Sequence, residues 1–203
     1  MARPAGARAL TRAAVVEAAA ELVDERGPQG LTLAELAKRL GVRPPSLYNH
    51  VDGLDGLLRE LRLRALNDLE RALARAALGM SGRDALAAMC RAYRAYALEH
   101  PGLYGLTVRS TEGKDPEVQA AGAGVVEVAL AVLRGYGLEG DEAIHATRIV
   151  RSTLHGFAAL EGAGGFALGQ PVETSFELAI ELLHGALLSL AERGAQAPTE
   201  RPR

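Results

Sequence analysis

The side chains best suited to chemistry lie in one short stretch, VRPPSLYNHV, which covers residues 42–51. Arginine and asparagine pair with the edges of guanine and adenine, whereas tyrosine, serine and histidine often contact backbone phosphates. The apolar pattern predicts a short helix that exposes a polar row, composed of Arg43, Pro45, Ser46, Tyr48, Asn49 and His50. These residue types and their spacing indicate a surface that reads double-stranded DNA.

A second group of residues has the spacing of metal ligands. Glu142-x-x-His145 and Glu181-x-x-His184 both fall on predicted helices, and paired motifs of this form hold two iron ions in helical bundles. Such a site also needs a glutamate from each of two further helices, and no further helix is predicted between the motifs. The paired motifs make a di-iron oxidase the alternative interpretation, and the missing helices count against it. Because no nucleophile–base motif or phosphate-binding glycine loop is present, we expect no enzyme and no cofactor.

Two short helices and a tight turn position the polar row. Thr32 begins the first helix with the capping box T-L-A-E, Gly41 ends it, and Pro44 opens the second helix at a position where its missing N–H costs little. Apolar residues recur where two crossed helices would bury them, at Leu36, Leu40, Val42, Leu47 and Val51. This pattern predicts a helix-turn-helix, with a second helix that fits a major groove about 12 Å wide. A helical hairpin with a solvated polar side is the alternative.

The whole chain is predicted to be helical. Its 203 residues include 4% aromatics and no tryptophan, so the core must be built from leucine, alanine and valine, which favours helices. We expect an all-α fold with an N-terminal three-helix DNA-binding domain and a C-terminal helical domain for ligand binding and dimerisation. The predicted boundaries are a flexible arm at 1–10, the helix-turn-helix domain at 11–53, the regulatory domain at 54–193 and a disordered tail at 194–203.

Composition also restricts the compartment and the partners. A single cysteine cannot form an internal disulfide, which favours a reducing cytoplasm. We recognise no signal peptide and no apolar run of the roughly 18–20 residues that span a bilayer, so no membrane partner is expected. The net charge is −2, but residues 1–50 carry seven Lys and Arg against five Asp and Glu, and the remainder carries sixteen against twenty. The end that carries the polar row is therefore the basic one.

The last two helices are predicted to join two copies of the chain. The final helix is apolar around most of its circumference, which is typical of a helix that is central or shared with another chain. Two DNA-reading helices on one palindrome also require a two-fold axis. The predicted interface residues are Ile149, Phe157, Phe176, Ile180, Leu183, Leu187 and Leu190. One buried central helix in a monomer is the alternative.

A cluster of aromatic and polarisable residues suggests a pocket for a small-molecule effector. Three of them share one face of a predicted helix at i, i+4 and i+7 spacing, beside a break at His100-Pro101-Gly102. Such residues can line an apolar cavity that has a few hydroxyl groups. The candidate ligand-binding residues are Met89, Tyr93, Tyr96, Tyr104 and His155. Ordinary core packing explains the same stripe equally well.

The ordered motifs of residues 11–58 resemble the DNA-binding domain of the TetR family of bacterial transcriptional regulators. The matching pieces are AAAELVDERGPQG, LT, LAELAKRLGV and LYNHV. The rest is similar to the subgroup with a Trp-His-Gly motif, seen here in RAYALEHPGLYGL and STLHGF, with Leu154 in the place of the tryptophan. The resemblance implies a ligand-responsive regulator, usually a repressor, that binds a palindromic operator as a homodimer and is released by a small apolar effector.

The resemblance also implies roles for individual side chains. Arg43 and Asn49 are expected at base edges, and Tyr48 and His50 at phosphates. Thr32 is expected to offer its hydroxyl and the adjacent helix N-terminal amides to another phosphate.

The chain departs from the family pattern at two positions beside the helix-turn-helix. Val51 replaces a usual phenylalanine, and Leu54 replaces a usual lysine that holds a phosphate. We expect Arg12, or Arg3 and Arg8 of the N-terminal arm, to compensate for the lost phosphate contact.

Overall fold

The computed structural model describes residues 10–108 and 115–196, and this part of the chain is helical, which confirms the prediction of an all-α fold. Residues 1–9 of the predicted arm and residues 197–203 of the predicted tail lie outside the described residues. Two 3₁₀ helices cover Pro28–Gly30 and Pro44–Asn49. The α-helices are α1 Arg12–Arg26, α2 Leu33–Leu40, α3 Gly53–Ala77, α4 Gly82–Glu99, α5 Pro101–Val108, α6 Pro116–Arg134, α7 Gly140–Gly162 and α8 Val172–Gln196.

The described chain divides into two compact units, and the first is larger than the segment 11–53 predicted for DNA binding. It comprises residues 10–65, 100–108 and 115–118, while the second comprises residues 66–99 and 119–196. The helix α3 therefore contributes its first half to one unit and its second half to the other. Residues 194–196, which we expected in a disordered tail, continue α8.

Side-chain caps and left-handed glycine fix the short helices of the first unit. The Thr11 hydroxyl accepts a hydrogen bond from the Ala14 N–H at 3.1 Å, and the Thr32 hydroxyl accepts one from the Glu35 N–H at 3.1 Å. Gly41 ends α2 in the left-handed conformation at φ 66°, where a β-carbon would be strained. These helices enclose one apolar core whose fully buried members include Val15, Ala19, Leu36, Leu47, Leu57 and Leu61.

The helix α5 packs on α1 through a close approach of the two backbones. A β-carbon on Gly102 would lie 1.9 Å from the carbonyl oxygen of Val23, so only glycine fits there. The Asp24 carboxylate accepts a hydrogen bond from the Leu103 N–H at 2.8 Å, and it lies 3.0 Å from Nδ1 of His100. This contact explains why α5 belongs to the first unit although α4, which precedes it, belongs to the second.

A nearly buried arginine ties three helices of the second unit together. The side chain of Arg94 on α4 is 14% exposed, and its Nε and Nη2 each lie 2.7 Å from the carboxylate of Glu161 on α7. Its Nη1 lies 2.5 Å from Glu173 on α8, and its guanidinium lies 4.6 Å from the ring centroid of Phe176. These carboxylates raise the pKa of Arg94, so the guanidinium stays charged.

The strongest apolar face of α8 packs inside the chain's own second unit. The predicted interface residues that are at most 6% exposed are Phe176, Ile180, Leu183 and Leu187. Phe157 also packs inward, with its ring centroid 5.0 Å from that of Phe176. Of the predicted set, Ile149 is 57% exposed and Leu190 is half-buried.

A different apolar stripe of α8 remains exposed. Leu178 and Leu182 are 58% and 75% exposed, and they lie one helical turn apart. Ala186 and Ser189 continue the same stripe with small exposed side chains. On α7, Ile149 is exposed in the same way. Sequence periodicity alone did not separate the two faces of α8, because both are rich in leucine.

Among the described residues, two helices have the length and apolar composition of membrane spans, contrary to our expectation from the sequence. They are Pro116–Arg134 and Val172–Gly194. The second of these carries Glu177, which binds Arg91 of α4 at 2.6 Å, and Glu181, which binds Arg83 of α4. Because it carries these two ion pairs and packs one apolar face against its own chain, we describe α8 as a bundle helix.

Candidate nucleic-acid interface

The short helix predicted to carry the DNA-reading residues is a 3₁₀ helix. It runs over the six residues Pro44–Asn49, which at a rise of about 2 Å per residue gives a length of about 12 Å. Its bonds connect residues three apart, as between the Ser46 N–H and the Arg43 carbonyl at 2.9 Å. So short a helix can form only about two α-type bonds, so the tighter winding loses little.

Three residues per turn place the DNA-reading side chains in straight rows. Pro45 and Tyr48 form one row, and Ser46 and Asn49 form the next. Tyr48 is 62% exposed, Pro45 and Asn49 are exposed, and Ser46 is half-buried. The structure thus brings four of the predicted residues to one outward surface.

The opposite side of the 3₁₀ helix is anchored in the core of the first unit. Leu47 is fully buried there, and His50 lies on the same side, one turn later. His50 is therefore half-buried, and less outward than the sequence suggested. Its N–H donates to the Leu47 carbonyl at 2.8 Å, which closes the last turn.

The acidic residues of α1 are paired within the first unit. Glu17 lies 2.7 Å from Arg64, and Glu21 and Glu25 lie 2.9 Å and 2.7 Å from Arg39. Hydrogen bonds from these arginines lower the pKa of Glu17 and of Glu25. Arginines that lie outside the 3₁₀ helix thus neutralise these three carboxylates.

The remaining predicted contact residues differ in their freedom to reach DNA. Arg43 is exposed at the start of the 3₁₀ helix. Arg12 forms a two-point ion pair with Glu60, at 3.1 Å from Nε and 3.0 Å from Nη2, so a phosphate would have to share its guanidinium. Thr32 uses an oxygen lone pair to cap α2, which leaves its O–H able to donate to a phosphate.

The five predicted ligand-binding residues are distributed over both compact units. Met89, Tyr93 and Tyr96 are buried along one face of α4 in the second unit. His155 is half-buried on α7 in the same unit, whereas Tyr104 is buried in the first unit on α5.

Two surface cavities are lined by other residues of the second unit. One of about 470 Å³ lies beside the turn between α3 and α4, and its lining includes Arg83 and Arg91. The other, of about 310 Å³, lies between α3, α6 and the start of α4. Neither lining includes the predicted ligand-binding residues.

The two residues of the second Glu-x-x-His motif have other contacts. Glu181 pairs with Arg83, and Nδ1 of His184 lies 2.8 Å from the Tyr136 hydroxyl. Burial raises the pKa of Tyr136 to about 12, so this phenol stays protonated. Within residues 10–108 and 115–196, no group of three or more His, Cys, Asp or Glu side chains is arranged around a metal position.

Sequence reasoning missed the contact that joins α5 to α1. The break at His100-Pro101-Gly102 was visible, and a glycine at the first turn of a helix is a signal of close packing. The partner in that contact, Asp24, is one of the acids of α1. No periodicity indicates that two segments 79 residues apart are bonded, as Asp24 and Leu103 are.

Comparison with known proteins gives matches over both halves of the chain. The family model described as "Bacterial regulatory proteins, tetR family" matches residues 15–61, and "Tetracyclin repressor-like, C-terminal domain" matches residues 86–183. The uncharacterized HTH-type transcriptional regulator Rv0681 of Mycobacterium tuberculosis is 43% identical over 165 residues, which cover 81% of this chain and 74% of that protein.

Two further matches extend over most of the chain. The uncharacterized HTH-type transcriptional regulator YobS of Bacillus subtilis is 36% identical over 179 residues, covering 88% of this chain and 93% of that protein. A solved TetR variant from Acinetobacter baumannii, in complex with minocycline, has the same fold with a TM-score of 0.64 and 24% identity. That match covers 90% of this chain and 98% of the other.

Proposed function

Since the chain belongs to the TetR family of bacterial transcriptional regulators, we propose that it binds a palindromic DNA operator as a homodimer and represses transcription until a small apolar effector releases it. It is a helix-turn-helix DNA-binding regulator and not an enzyme. The observation that carries the proposal is the outward surface of the short 3₁₀ helix, formed by Pro45, Ser46, Tyr48 and Asn49. The buried Leu47 anchors the opposite side of this helix in the core. A regulator of this kind acts in the cytoplasm and needs no cofactor.

The exposed row supports a division of labour between base and phosphate contacts. Asn49 offers an amide that pairs with adenine, and Arg43 offers the two-point donor that pairs with guanine. Tyr48 and Ser46 offer hydroxyls suited to phosphates, and Thr32 adds a third. About 12 Å of helix matches the width of the major groove.

Replacing Asn49 with alanine is expected to weaken binding to a selected palindrome by about 1–3 kcal/mol and to leave binding to scrambled DNA unchanged, because the lost contact reads a base. Tyr48→Phe is expected to weaken binding to both DNAs alike, because a phosphate contact carries no sequence information. Gel-shift titrations measure both effects. Gln29→Ala, exposed outside the helix-turn-helix, serves as the control. Wild-type affinity for both DNAs in both variants would remove this helix from the interface.

The exposed stripe at Leu178 and Leu182 supports dimerisation through α7 and α8. Both side chains are large, apolar and exposed in the single chain, and Ile149 adds a third on α7. A four-helix arrangement of α7 and α8 from two copies would bury such side chains and generate the two-fold axis that a palindrome requires. Small residues at Ala186 and Ser189 would allow the two copies to approach closely.

Leu182→Glu is expected to raise the dimer dissociation constant about 100-fold or more, because each copy would place an unpaired carboxylate in an apolar interface. The fold of the single chain should survive, since Leu182 is 75% exposed. Sedimentation equilibrium measures the constant, and circular dichroism checks the fold. Leu168→Glu, at a loop position that is 83% exposed, is the matched control. A wild-type chain that is monomeric at micromolar concentration would refute the dimer.

The face of α4 that carries Met89, Tyr93 and Tyr96 supports an effector site in the second unit. Met89, Tyr93 and Tyr96 offer a polarisable apolar surface with phenol hydroxyls, which is suited to a small apolar molecule. The related fold solved with minocycline motivates a search among such molecules. The chain passes between the two units at three places, which are the middle of α3, the junction of α4 with α5 and the first turn of α6. An effector bound beside this face of α4 lowers the affinity for DNA only as far as it binds the released state more tightly than the DNA-bound state. DNA then weakens effector binding by the same factor.

A further inference from the structure

The carboxylate of Glu70 lies directly over the backbone of α6 at Gly124. A β-carbon on Gly124 would lie 2.5 Å from Oε2 and 2.8 Å from Cδ of Glu70. Glycine in the interior of a helix weakens that helix relative to alanine. A larger residue at this position would push aside the flexible end of the Glu70 side chain, so Gly124 allows the carboxylate to lie against α6.

The contact lies at one end of an apolar groove between α3 and α6. Glu70 shares a face of α3 with the groove residues Ala74 and Ala77, and Gly124 shares a face of α6 with Val128 and Ala131, in both cases at i, i+4 and i+7 spacing. The groove has a volume of about 310 Å³ and is completed by Leu78, Met80, Ala85 and Val132. All of these residues belong to the second unit. The groove therefore has small apolar walls and a carboxylate beside one end.

Two arginines of the same helices, one on α3 and one on α6, are already paired with other carboxylates. Arg71 binds Asp68 on α3, and Arg134 binds Glu127 on α6 at 3.0 Å. In the part of the chain that the structure describes, no hydrogen bond or ion pair is found for Glu70. Its side chain is half-buried, against a helix that offers glycine, alanine and valine. Partial burial of a carboxylate without a cation costs free energy, because the charge loses hydration and gains no ion pair.

We propose that the groove between α3 and α6 binds a small amphiphilic organic cation, with its ammonium group beside Glu70 and its apolar part against the alanine and valine side chains. The reduced access of water strengthens a charge-assisted hydrogen bond between ammonium and carboxylate. The apolar walls contribute through the hydrophobic effect, and the volume is at the lower end of the range for small-molecule sites. The site concerns the second unit alone and does not depend on DNA binding.

The probe pair that tests the site is 3-phenylpropylammonium and 3-phenylpropanol, which have the same size and differ in charge. Saturation-transfer NMR titrations of the full chain measure both dissociation constants. The ammonium is expected to bind about tenfold more tightly than the alcohol, as a charge-assisted bond to a partly buried carboxylate predicts. Glu70→Gln is expected to abolish this preference and to leave alcohol binding unchanged. Glu127→Gln, at an exposed carboxylate already paired with Arg134, is expected to keep it.

Two further variants test the location. Ala74→Phe fills the groove from an exposed position and is expected to weaken binding of both probes. Gly124→Ala displaces the carboxylate while favouring the helix, so the ammonium preference is expected to fall in a protein that remains folded by circular dichroism. Equal binding of the two probes to the wild type, no binding of either, or a preference retained in Glu70→Gln would overturn the proposal. Gel shifts on the same preparations report separately on DNA binding, so failure here is distinguishable from failure of the proposed function.

Discussion

Replacing Gly102 with alanine is expected to destabilise the first unit by about 3 kcal/mol, which is the upper part of the range for overpacking a close contact. The added β-carbon would lie 1.9 Å from the Val23 carbonyl oxygen and 2.4 Å from its carbonyl carbon. Both are backbone atoms in α1, so no side-chain rotation relieves the overlap. The helix α5 must move away from α1, and this movement breaks the bond from the Leu103 N–H to Asp24 and exposes Leu103, which is 3% exposed in the native fold.

Urea unfolding of the variant, followed by circular dichroism, measures this loss. Gly105→Ala is a matched control in the same helix, because a β-carbon at Gly105 meets no atom within 4 Å. That substitution is expected to stabilise α5 by about 0.5–1 kcal/mol through helix propensity. The two alanines should therefore change the free energy of unfolding in opposite directions. Equal effects of the two substitutions would mean that the close approach to Val23 does not exist in solution.

The helix ends and the outward position of the DNA-reading residues at 45–49 were largely predictable from the sequence, because they depend on local chemistry. Threonine before an apolar run, as at Thr11 and Thr32, specifies a capped start, and the observed hydrogen bonds are those that the residue types allow. Gly41 specifies the turn in the same way, since it adopts a left-handed conformation. The fold class follows from these local signals, and the order of the motifs predicted the family.

The packing of helices that are distant in sequence was not predictable from local pattern. The helix α8 has leucines on two sides, and the sequence does not reveal that Leu183 packs inward while its neighbour Leu182 is exposed. Placement of α5 depends on a contact between Gly102 and Val23, which are 79 positions apart. The 3₁₀ winding of Pro44–Asn49 was missed because hydrogen bonds three or four residues apart serve such a short helix almost equally.

Arg94→Met is expected to destabilise the second unit by about 3 kcal/mol, the lower part of the range for removing one partner of a buried ion pair. The substitution removes both hydrogen bonds to Glu161, whose side chain is 19% exposed, and leaves that carboxylate without its cation in a mostly dry site. Methionine retains contact with the Phe176 ring, so the loss reports mainly on charge. Urea unfolding of the full chain gives the difference in free energy.

A second substitution separates loss of the pair from loss of packing around Arg94. Adding Glu161→Gln to Arg94→Met removes the uncompensated charge, so the double variant is expected to be more stable than Arg94→Met alone. Arg83→Met is the control, because Arg83 and Glu181 form an ion pair whose side chains are 47% and 44% exposed, where solvent screens the interaction. Its effect should be far smaller. If Arg94→Met costs no more than Arg83→Met, then Arg94 is not the residue that ties α4 to α7 and α8.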